Sequence, residues 1–302
     1  MEQNKNYDKV SEIANRHLGK VGGEGYKDTY DPELLVKIPR YLNRVGYGIK
    51  ENNLPFVGYD VWNAYEVSAL TSKGLPVSGI LKIVCPANSQ YHVESKSIKL
   101  YLNSFNMTTM GHNTFECIRE IESRVARDLS LLLETNVRVK MFTDEEGPTF
   151  KFEGFEEIRN LVDLDMLTFD TYKSDHSMLK TLDKGSNYVT VRSDLLRSNC
   201  RVTNQPDWGD VFIYMNGGQI PDLSSLAQYI VSHRKVNHFH EEIAEMMFVH
   251  LMEAYNPEYL MVACLYTRRG GLDINPIRAT HSHLIPIPFQ DEHIRMEKTI
   301  RQ

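Results

Sequence analysis

The strongest constraint on the fold is an order of predicted elements that occurs twice along the 302-residue chain. In each half, strand-like segments come first, at residues 58–86 and 187–215, and helical segments follow them. A further strand then closes each half, VRVKMF in the first and YLMVACLY in the second. The repetition predicts one plan of strands, then helices, then a further strand, used twice along the chain.

Capping signals and hydrophobic spacing locate the helices. Asn113 and Glu116 form a predicted capping box, and apolar residues recur every three or four positions after it. In the second half, Asp222 or Ser224 is expected to begin one helix, and Asn237 is expected to begin another. The charged segment around residues 143–150 and the polar segment 174–187 are expected to join the halves.

Charge and hydropathy exclude several classes of partner. The formal net charge is -6, so the chain lacks the broad cationic surface that binds nucleic acids, although a few local arginines suffice for a small anionic ligand. The first twenty residues lack the apolar core of a signal peptide, and no later apolar run approaches membrane-spanning length. A cytoplasmic protein with no nucleic-acid or membrane partner is therefore expected.

One of the four cysteines stands apart from the others. Cys85 and Cys264 lie in apolar runs and Cys117 lies on a helical pattern, whereas Cys200 has polar neighbours in the segment SNCRVTNQPDWGD. The spacing supports neither a disulfide framework nor a zinc ribbon. A cysteine in polar surroundings is either a reactive thiol or an ordinary surface residue, and the spacing leaves both interpretations open.

A second unusual segment spans residues 92–106. Its apolar residues, such as Ile98 and Leu100, alternate as in a strand, and Glu94 and Lys96 are predicted on the same face. Charged groups on a core face need partners. They lie either at the solvated end of the strand or in a ligand site, where the carboxylate accepts from N–H donors and the lysine meets an anion.

Two pairs of histidines raise the question of a metal. His238 and His240 precede two acids at a helix start, and His281 and His283 form a similar pair. Residues two apart on a helix point to different sides, and no cysteine is nearby, so capping or surface roles are favoured and no metal is expected.

The segment TRRGGLDINPIR at residues 267–278 combines two arginines with two glycines after a strand. Glycines allow a backbone to approach a ligand closely and guanidinium groups bind phosphate, although a tight turn with solvated arginines is the alternative. No GxGxxG sequence follows a strand, so a Rossmann nucleotide site is not supported.

Taken together, ESKSIKLYL, SNCRVTNQPDWGD, FHEE and RRGGLDINP resemble the NADPH-dependent 7-cyano-7-deazaguanine reductases, the QueF nitrile reductases, in their long two-domain form. The resemblance runs from about Gly58 to Arg278. It implies two tandem tunnelling-fold (T-fold) modules, each an antiparallel sheet with two helices packed on one face. Residues 1–160 would carry ESKSIKLYL and residues 161–302 the nucleophilic cysteine. A homodimer is expected.

The resemblance also implies residue roles. Cys200 is expected to add to the nitrile carbon and form a covalent thioimide, and Asp207 to protonate the nitrile nitrogen. Two molecules of NADPH would be consumed for each nitrile. The residues implied in binding the deazaguanine are Val93, Glu94, Ser95, His240 and Glu241, and those implied in binding NADPH are Ser95, Lys96, Arg269 and Gly270. Phe239 is either a ring that stacks on a ligand or a core residue.

Two rival functions and one question about the site stay open from the sequence. A cyclohydrolase would keep the fold but need a catalytic zinc with cysteine or histidine ligands. A non-enzymatic pterin or purine binding module would need no reactive thiol. Because Glu94 and Cys200 belong to different halves, the pocket is expected at an interface between modules, either within one chain or between two.

Overall fold

The computed structural model of the chain describes residues 27–143, 149–182, 187–201, 204–299 and 302. The strands in these ranges are β1 (Lys37–Pro39), β2 (Val57–Leu70), β3 (Pro76–Pro86), β4 (Tyr91–Val93), β5 (Arg138–Phe142), β6 (Thr149–Phe150), β7 (Glu156–Glu157), β8 (Tyr188–Ser193), β9 (Arg197–Cys200), β10 (Pro206–Asn216), β11 (Asn237–His238), β12 (Tyr259–Tyr266), β13 (Leu272–Ala279) and β14 (Arg295–Met296). The helices are α1 (Tyr41–Arg44), α2 (Ser95–Asn103), α3 (Thr114–Leu133), α4 (Ile158–Leu161), α5 (Leu223–Ser232), α6 (His240–Tyr255) and α7 (Ile287–Gln290). None of the helices in these ranges has the length and apolar character that a bilayer span needs.

Ten strands form one sheet that runs through both halves of the chain. Its order is β11–β9–β10–β12–β13–β2–β3–β5, while β8 also pairs with β10, and β7 pairs with β8. Neighbouring strands are antiparallel except for the parallel pairs β9–β11 and β7–β8. The halves meet where β13 pairs with β2, from Leu272 opposite Ala64 to Ala279 opposite Val57. We call this junction the β2–β13 seam.

Alternation along the strands sends apolar side chains to both faces of the sheet. On β2, Trp62 packs with α2 and α3, whereas the adjacent Val61 belongs to a cluster on the opposite face. In the second half, α5 and α6 pack on the strands through a further cluster. The opposite face is covered by Phe289 and Met296 near the end of the chain. The result is an α+β protein in which the longer helices lie on one face of a mainly antiparallel sheet.

Two of the predicted helix starts are confirmed. Asn113 is the N-cap of α3, and its Oδ1 accepts from the backbone N–H of Glu116 at 2.9 Å. The Glu116 carboxylate in turn accepts from the backbone N–H of His112 at 2.8 Å, one residue earlier than in a standard capping box. Asp222 caps α5 by accepting from the backbone N–H of Ser225 at 2.9 Å.

The strand predicted through residues 92–106 is wrong beyond β4, because the chain continues there as α2. Glu94 is the N-cap of this helix. The buried residues Ile98, Tyr101 and Leu102 are spaced three and four apart, which is the helical period. Alternate apolar residues over so short a run also fit a strand, so the two periods compete in the sequence.

The helix start predicted at Asn237 is also wrong. Asn237 and His238 form β11, whose backbone is extended because it pairs in parallel with β9. The N-cap of α6 is Phe239, and its backbone N–H donates to the carboxylate of Glu242 at 3.3 Å. Strand pairing therefore overrides the capping preference of asparagine at this point.

A buried ion cluster connects the two halves where α6 contacts β13, which pairs with β2. Arg278 of β13 contacts Glu245 of α6 at 2.9 Å and Asp60 of β2 at 2.9 Å. Arg40 contacts Asp60 at 2.6 Å, and Arg44 contacts Glu245 at 2.8 Å. Burial alone would raise the pKa of both carboxyls, but the neighbouring guanidinium groups outweigh it and hold each pKa below its ordinary value. Each carboxylate therefore bridges the halves as a charged group.

Substitution Glu245→Gln is expected to destabilise the protein strongly. Glutamine keeps the size of the side chain but leaves Arg44 and Arg278 buried without their shared counter-charge. Breaking a buried ion pair from one side costs about 3–5 kcal/mol, which urea unfolding followed by circular dichroism would measure. Glu253→Gln, on the exposed face of the same helix, is the control and should change the unfolding free energy by less than about 0.5 kcal/mol. Equal effects of the two substitutions would contradict a bridging role for Glu245.

Candidate active site

A cavity of about 310 Å³ opens between the two halves and is lined by both of them. Its walls are the junction of β4 and α2, the β9–β10 hairpin, the start of α6 and the turn between β12 and β13. Every site residue expected from the sequence lines this cavity: Val93, Glu94, Ser95, Lys96, Cys200, Asp207, Phe239, His240, Glu241, Arg269 and Gly270. The cavity is thus formed within one chain.

The start of α2 fixes the carboxylate of Glu94. One of its oxygens accepts from the backbone N–H of Ser97 at 2.7 Å, and the other lies 3.4 Å from the hydroxyl of Ser95, which donates to it. A carboxylate at a helix N-terminus is also favoured by the helix dipole. Lys96 is exposed at the cavity wall. The helix therefore presents an oriented acceptor and a cation at the same wall.

Cys200 is the last residue of β9, and backbone hydrogen bonds fix its position. Its N–H donates to the carbonyl of Gln205 at 2.8 Å, and the N–H of Asn204 donates to its carbonyl at 2.9 Å. The residue is half-buried, whereas the other three cysteines are buried. Burial raises the pKa of the Cys85 and Cys264 thiols to about 12, so neither is a ready source of thiolate. Among the cysteines, only Cys200 lines the cavity.

Asp207, at the beginning of β10, is a buried acid held by two basic side chains. Its Oδ1 forms an ion pair with the guanidinium group of Arg269, and it lies 3.3 Å from Nε2 of His240. Arg269 also donates to the carbonyl of Pro206 at 2.6 Å. The ring of His240 lies flat on the ring of Tyr266, with centroids 3.8 Å apart and an angle of 5° between the planes. These contacts hold the carboxyl and the imidazole beside the cavity.

Glu241 follows His240 on the first turn of α6 and is almost fully buried. Its Oε1 has no hydrogen-bond partner among the described residues, and Nδ1 of His92 lies 3.7 Å from it. Buried polar atoms are usually hydrogen-bonded. A ligand with N–H donors in the cavity would satisfy this oxygen.

The turn between β12 and β13 brings backbone and cations to the cavity. Gly270 and Gly271 have φ of 57° and 78°, in the left-handed region that favours glycine. A Cβ atom on Gly270 would lie 2.3 Å from Nζ of Lys99, so a side chain there would displace the ammonium group. Lys96, Lys99 and Arg269 all line the cavity around this turn. The arrangement can hold an anionic group.

The cavity is also lined by residues to which the sequence assigned no role in binding or catalysis: Trp62, His92, Lys99, Leu100, Gln205, His238, Leu272 and Ile274. Leu272 and Ile274 alternate on β13, and Trp62 stands opposite Ile274 on β2. Alternation predicts that Leu272 and Ile274 share a face, but only the pairing of β13 with β2 shows which face that is.

His238 and His240 do not share a helix as the sequence suggested, because His238 ends β11 and His240 begins α6. Their rings nevertheless contact different carboxylates. Nδ1 of His238 lies 2.8 Å from Glu242, whereas His240 lies beside Asp207. His281 and His283 are exposed and lie outside the cavity lining.

Comparison with known proteins identifies similar chains. Residues 26–141 match a family model described as "Nitrile reductase, 7-cyano-7-deazaguanine-reductase N-term", and residues 206–284 match one described as "QueF-like protein". Three relatives are named NADPH-dependent 7-cyano-7-deazaguanine reductase. The protein from Dechloromonas aromatica (strain RCB) is 44% identical over 269 residues, which cover 89% of this chain and 92% of the relative. The protein from Rickettsia massiliae (strain Mtu5) is 40% identical, covering 86% and 92%. The protein from Colwellia psychrerythraea (strain 34H / ATCC BAA-681) is 37% identical, covering 93% and 97%.

Proposed function

The chain belongs to the family of NADPH-dependent 7-cyano-7-deazaguanine reductases, and we propose that it acts through a covalent adduct on Cys200. It is an NADPH-dependent oxidoreductase that reduces the nitrile of 7-cyano-7-deazaguanine to an aminomethyl group in queuosine biosynthesis. The observation that supports the proposed mechanism is that one cavity contains the half-buried Cys200, the buried Asp207 and the unpaired oxygen of Glu241.

Cys200 is the nucleophile of the proposed reaction. Its sulfur adds to the nitrile carbon, a C–S bond forms, and one π bond of the nitrile becomes a lone pair on nitrogen. The product is a thioimide, whose C=N carbon accepts hydride more readily than the nitrile carbon does. When the C–S bond breaks after the first reduction, the electron pair returns to the sulfur of Cys200 and an imine remains.

Asp207 transfers the proton in the proposed addition step. It accepts the thiol proton of Cys200 and donates it to the nitrile nitrogen as negative charge develops there. Its burial and its contacts with Arg269 and His240 keep the carboxyl in one orientation. Exclusion of water from such a site also protects the imine from hydrolysis between the two reductions.

The deazaguanine is held by acceptors that match its N–H groups. Glu94 and Glu241 accept from the amino and ring N–H groups, with Val93, Ser95 and His240 completing the contact surface. Phe239 stacks on the bicyclic ring in this proposal. The buried Oε1 of Glu241, which has no donor among the described residues, supports this role.

The nicotinamide cofactor is proposed to bind at the wall where the start of α2 meets the turn between β12 and β13. Ser95, Lys96, Arg269 and Gly270 would hold it, since this wall combines exposed cations with a glycine turn that leaves room beside Lys99. When bound, NADPH supplies hydride to the carbon of the C=N bond. Binding of the cofactor would then weaken the ion pair between Arg269 and Asp207, because the phosphate and the Asp207 carboxylate compete for the same guanidinium group.

We further propose that the halves are tandem T-fold modules, at residues 1–160 and 161–302, and that the protein is a homodimer. The main elements recur in one order, two strands, two helices and a further strand, with the helices on one face, which supports the modules. Near the proposed boundary, β7 pairs with β8 of the second half. The boundary and the homodimer stay predictions.

The number of NADPH molecules oxidised for each nitrile consumed tests the proposed reaction. Two molecules of NADPH are expected to be oxidised for each 7-cyano-7-deazaguanine consumed, because reduction of a nitrile to an amine requires two hydrides. Loss of nicotinamide absorbance, with chromatography of the aminomethyl product, measures the ratio. A ratio of one, or release of an aldehyde, would contradict retention of the imine. Activity should persist in a chelator, whereas a zinc-dependent cyclohydrolase would lose it.

A further inference from the structure

His92 is a buried histidine at the cavity that the proposed mechanism does not use. It lies at the centre of β4, two residues before Glu94, and its side chain is 4% exposed. The edge of its ring meets Phe239, with centroids 5.0 Å apart and planes at 76°. Its Nε2 is buried with no hydrogen-bond partner among the described residues. Burying such a ring is unfavourable unless it has a polar partner in the working protein.

The group that faces His92 is Glu241. Nδ1 of the histidine lies 3.7 Å from Oε1 of the carboxylate, and the Glu241 side chain is 6% exposed. Of the basic side chains in the described residues, His92 is the one within 4.0 Å of a Glu241 oxygen. The separation is longer than a hydrogen bond, although the two atoms face each other. Two buried polar groups are therefore aligned without yet satisfying each other.

We propose that His92 is a positioning residue for recognition of the deazaguanine: its Nδ1–H holds the Glu241 carboxylate so that Oε1 meets the N–H edge of the base. A carboxylate oxygen has two lone pairs, so Oε1 can accept from His92 and from the ligand at once. Without His92, the buried carboxylate would be free to rotate away from the base, because no other basic side chain of the described residues lies within 4.0 Å of it. The inference rests on the proposed function, since it assigns Glu241 to the base.

Three substitutions of His92 test which of its two ring nitrogens is needed for binding of the base. In His92→Asn the amide nitrogen can occupy the position of Nδ1, in His92→Gln it reaches the position of Nε2, and His92→Leu provides neither donor. For His92→Leu, the KM and Kd for 7-cyano-7-deazaguanine are expected to rise about 10- to 100-fold, the range for loss of a hydrogen bond to a charged group. The kcat and the KM for NADPH should change less than about threefold. His92→Asn should recover most of the affinity and His92→Gln little.

A ligand analogue completes the design. 7-Cyano-7-deazahypoxanthine lacks the exocyclic amine, so it offers Glu241 fewer N–H donors, and His92→Leu should weaken its binding less than it weakens binding of the guanine nitrile. His293→Leu, at an exposed histidine, is the control and should bind both nitriles as the unmodified protein does.

The possible outcomes distinguish this inference from the proposed function. Unchanged affinity in all three His92 variants, or rescue by glutamine instead of asparagine, would overturn the assignment of Nδ1. An equal loss for both nitriles and for NADPH would indicate a structural role and would also overturn it. If the unmodified protein neither binds nor reduces the guanine nitrile, the proposed function itself fails. Should His92→Leu not fold, the comparison of asparagine with glutamine still decides.

Discussion

Replacing Cys200 with alanine is expected to abolish the covalent adduct and nearly all turnover while the fold stays intact. Without the sulfur no thioimide forms, and loss of an enzyme nucleophile typically lowers kcat by about 10⁴-fold or more. The fold should survive because backbone hydrogen bonds, which alanine keeps, hold residue 200 at the end of β9. Intact-protein mass spectrometry with the nitrile and no NADPH measures the adduct directly: the unmodified protein gains one substrate mass and Cys200→Ala gains none.

Cys117→Ala is the matched control for this experiment. Cys117 is a buried thiol on α3 and does not line the cavity, so its loss should leave adduct formation unchanged. An adduct that persists in Cys200→Ala would assign the nucleophile to another residue. A protein that never forms an adduct, yet binds the nitrile equally well with and without the thiol, would instead be a purine binding module.

Asp207→Asn should slow the reaction without removing the thiol. Asparagine has nearly the same shape and still accepts from Arg269, but it cannot accept and return a proton at the nitrile nitrogen. Loss of a positioned acid or base costs on the order of 10²- to 10⁴-fold in rate. The adduct should therefore appear slowly but to the same final extent, which a time course of intact mass would show.

Two controls show whether the slow reaction of Asp207→Asn results from loss of proton transfer. Asp165→Asn, at an exposed carboxylate, should react at the unmodified rate. The Kd for the nitrile, measured by calorimetry in a Cys200→Ala background, should change little when Asp207→Asn is added. A normal rate of adduct formation in Asp207→Asn would show that the proton comes from another group, and His240, 3.3 Å from Asp207, would then be the next candidate.

The elements that the sequence predicted correctly had signals that were local and unopposed. The caps of α3 and α5 and the apolar strand β12 each follow from a few adjacent residues. The errors at α2 and at the start of α6 occurred where two signals competed. Ile98, Leu100 and Leu102 fit a strand, but burial of Tyr101 with Ile98 selects the helix. Asn237 is a good cap, but pairing with β9 extends it.

The residues named by the sequence motifs were easier to predict than the other residues that line the cavity. Motif resemblance named Cys200, Asp207 and Glu94, all of which line it. It could not find His92 or Trp62, whose contribution depends on which strands become neighbours. The pairing of β13 with β2 spans about two hundred residues of sequence, and no local pattern specifies such a partner.

Because the two halves meet at the β2–β13 seam, a ligand in the cavity is expected to stabilise the whole chain against unfolding. One wall comes from α2 and the facing walls come from the β9–β10 hairpin and α6, so a bound ligand spans the line along which the halves would part. A molecule that binds only the closed arrangement stabilises it by RT ln(1 + [L]/Kd), about 2.7 kcal/mol when the free concentration is 100 times Kd. A higher concentration of the nitrile would therefore increase both the turnover of the enzyme and its free energy of unfolding.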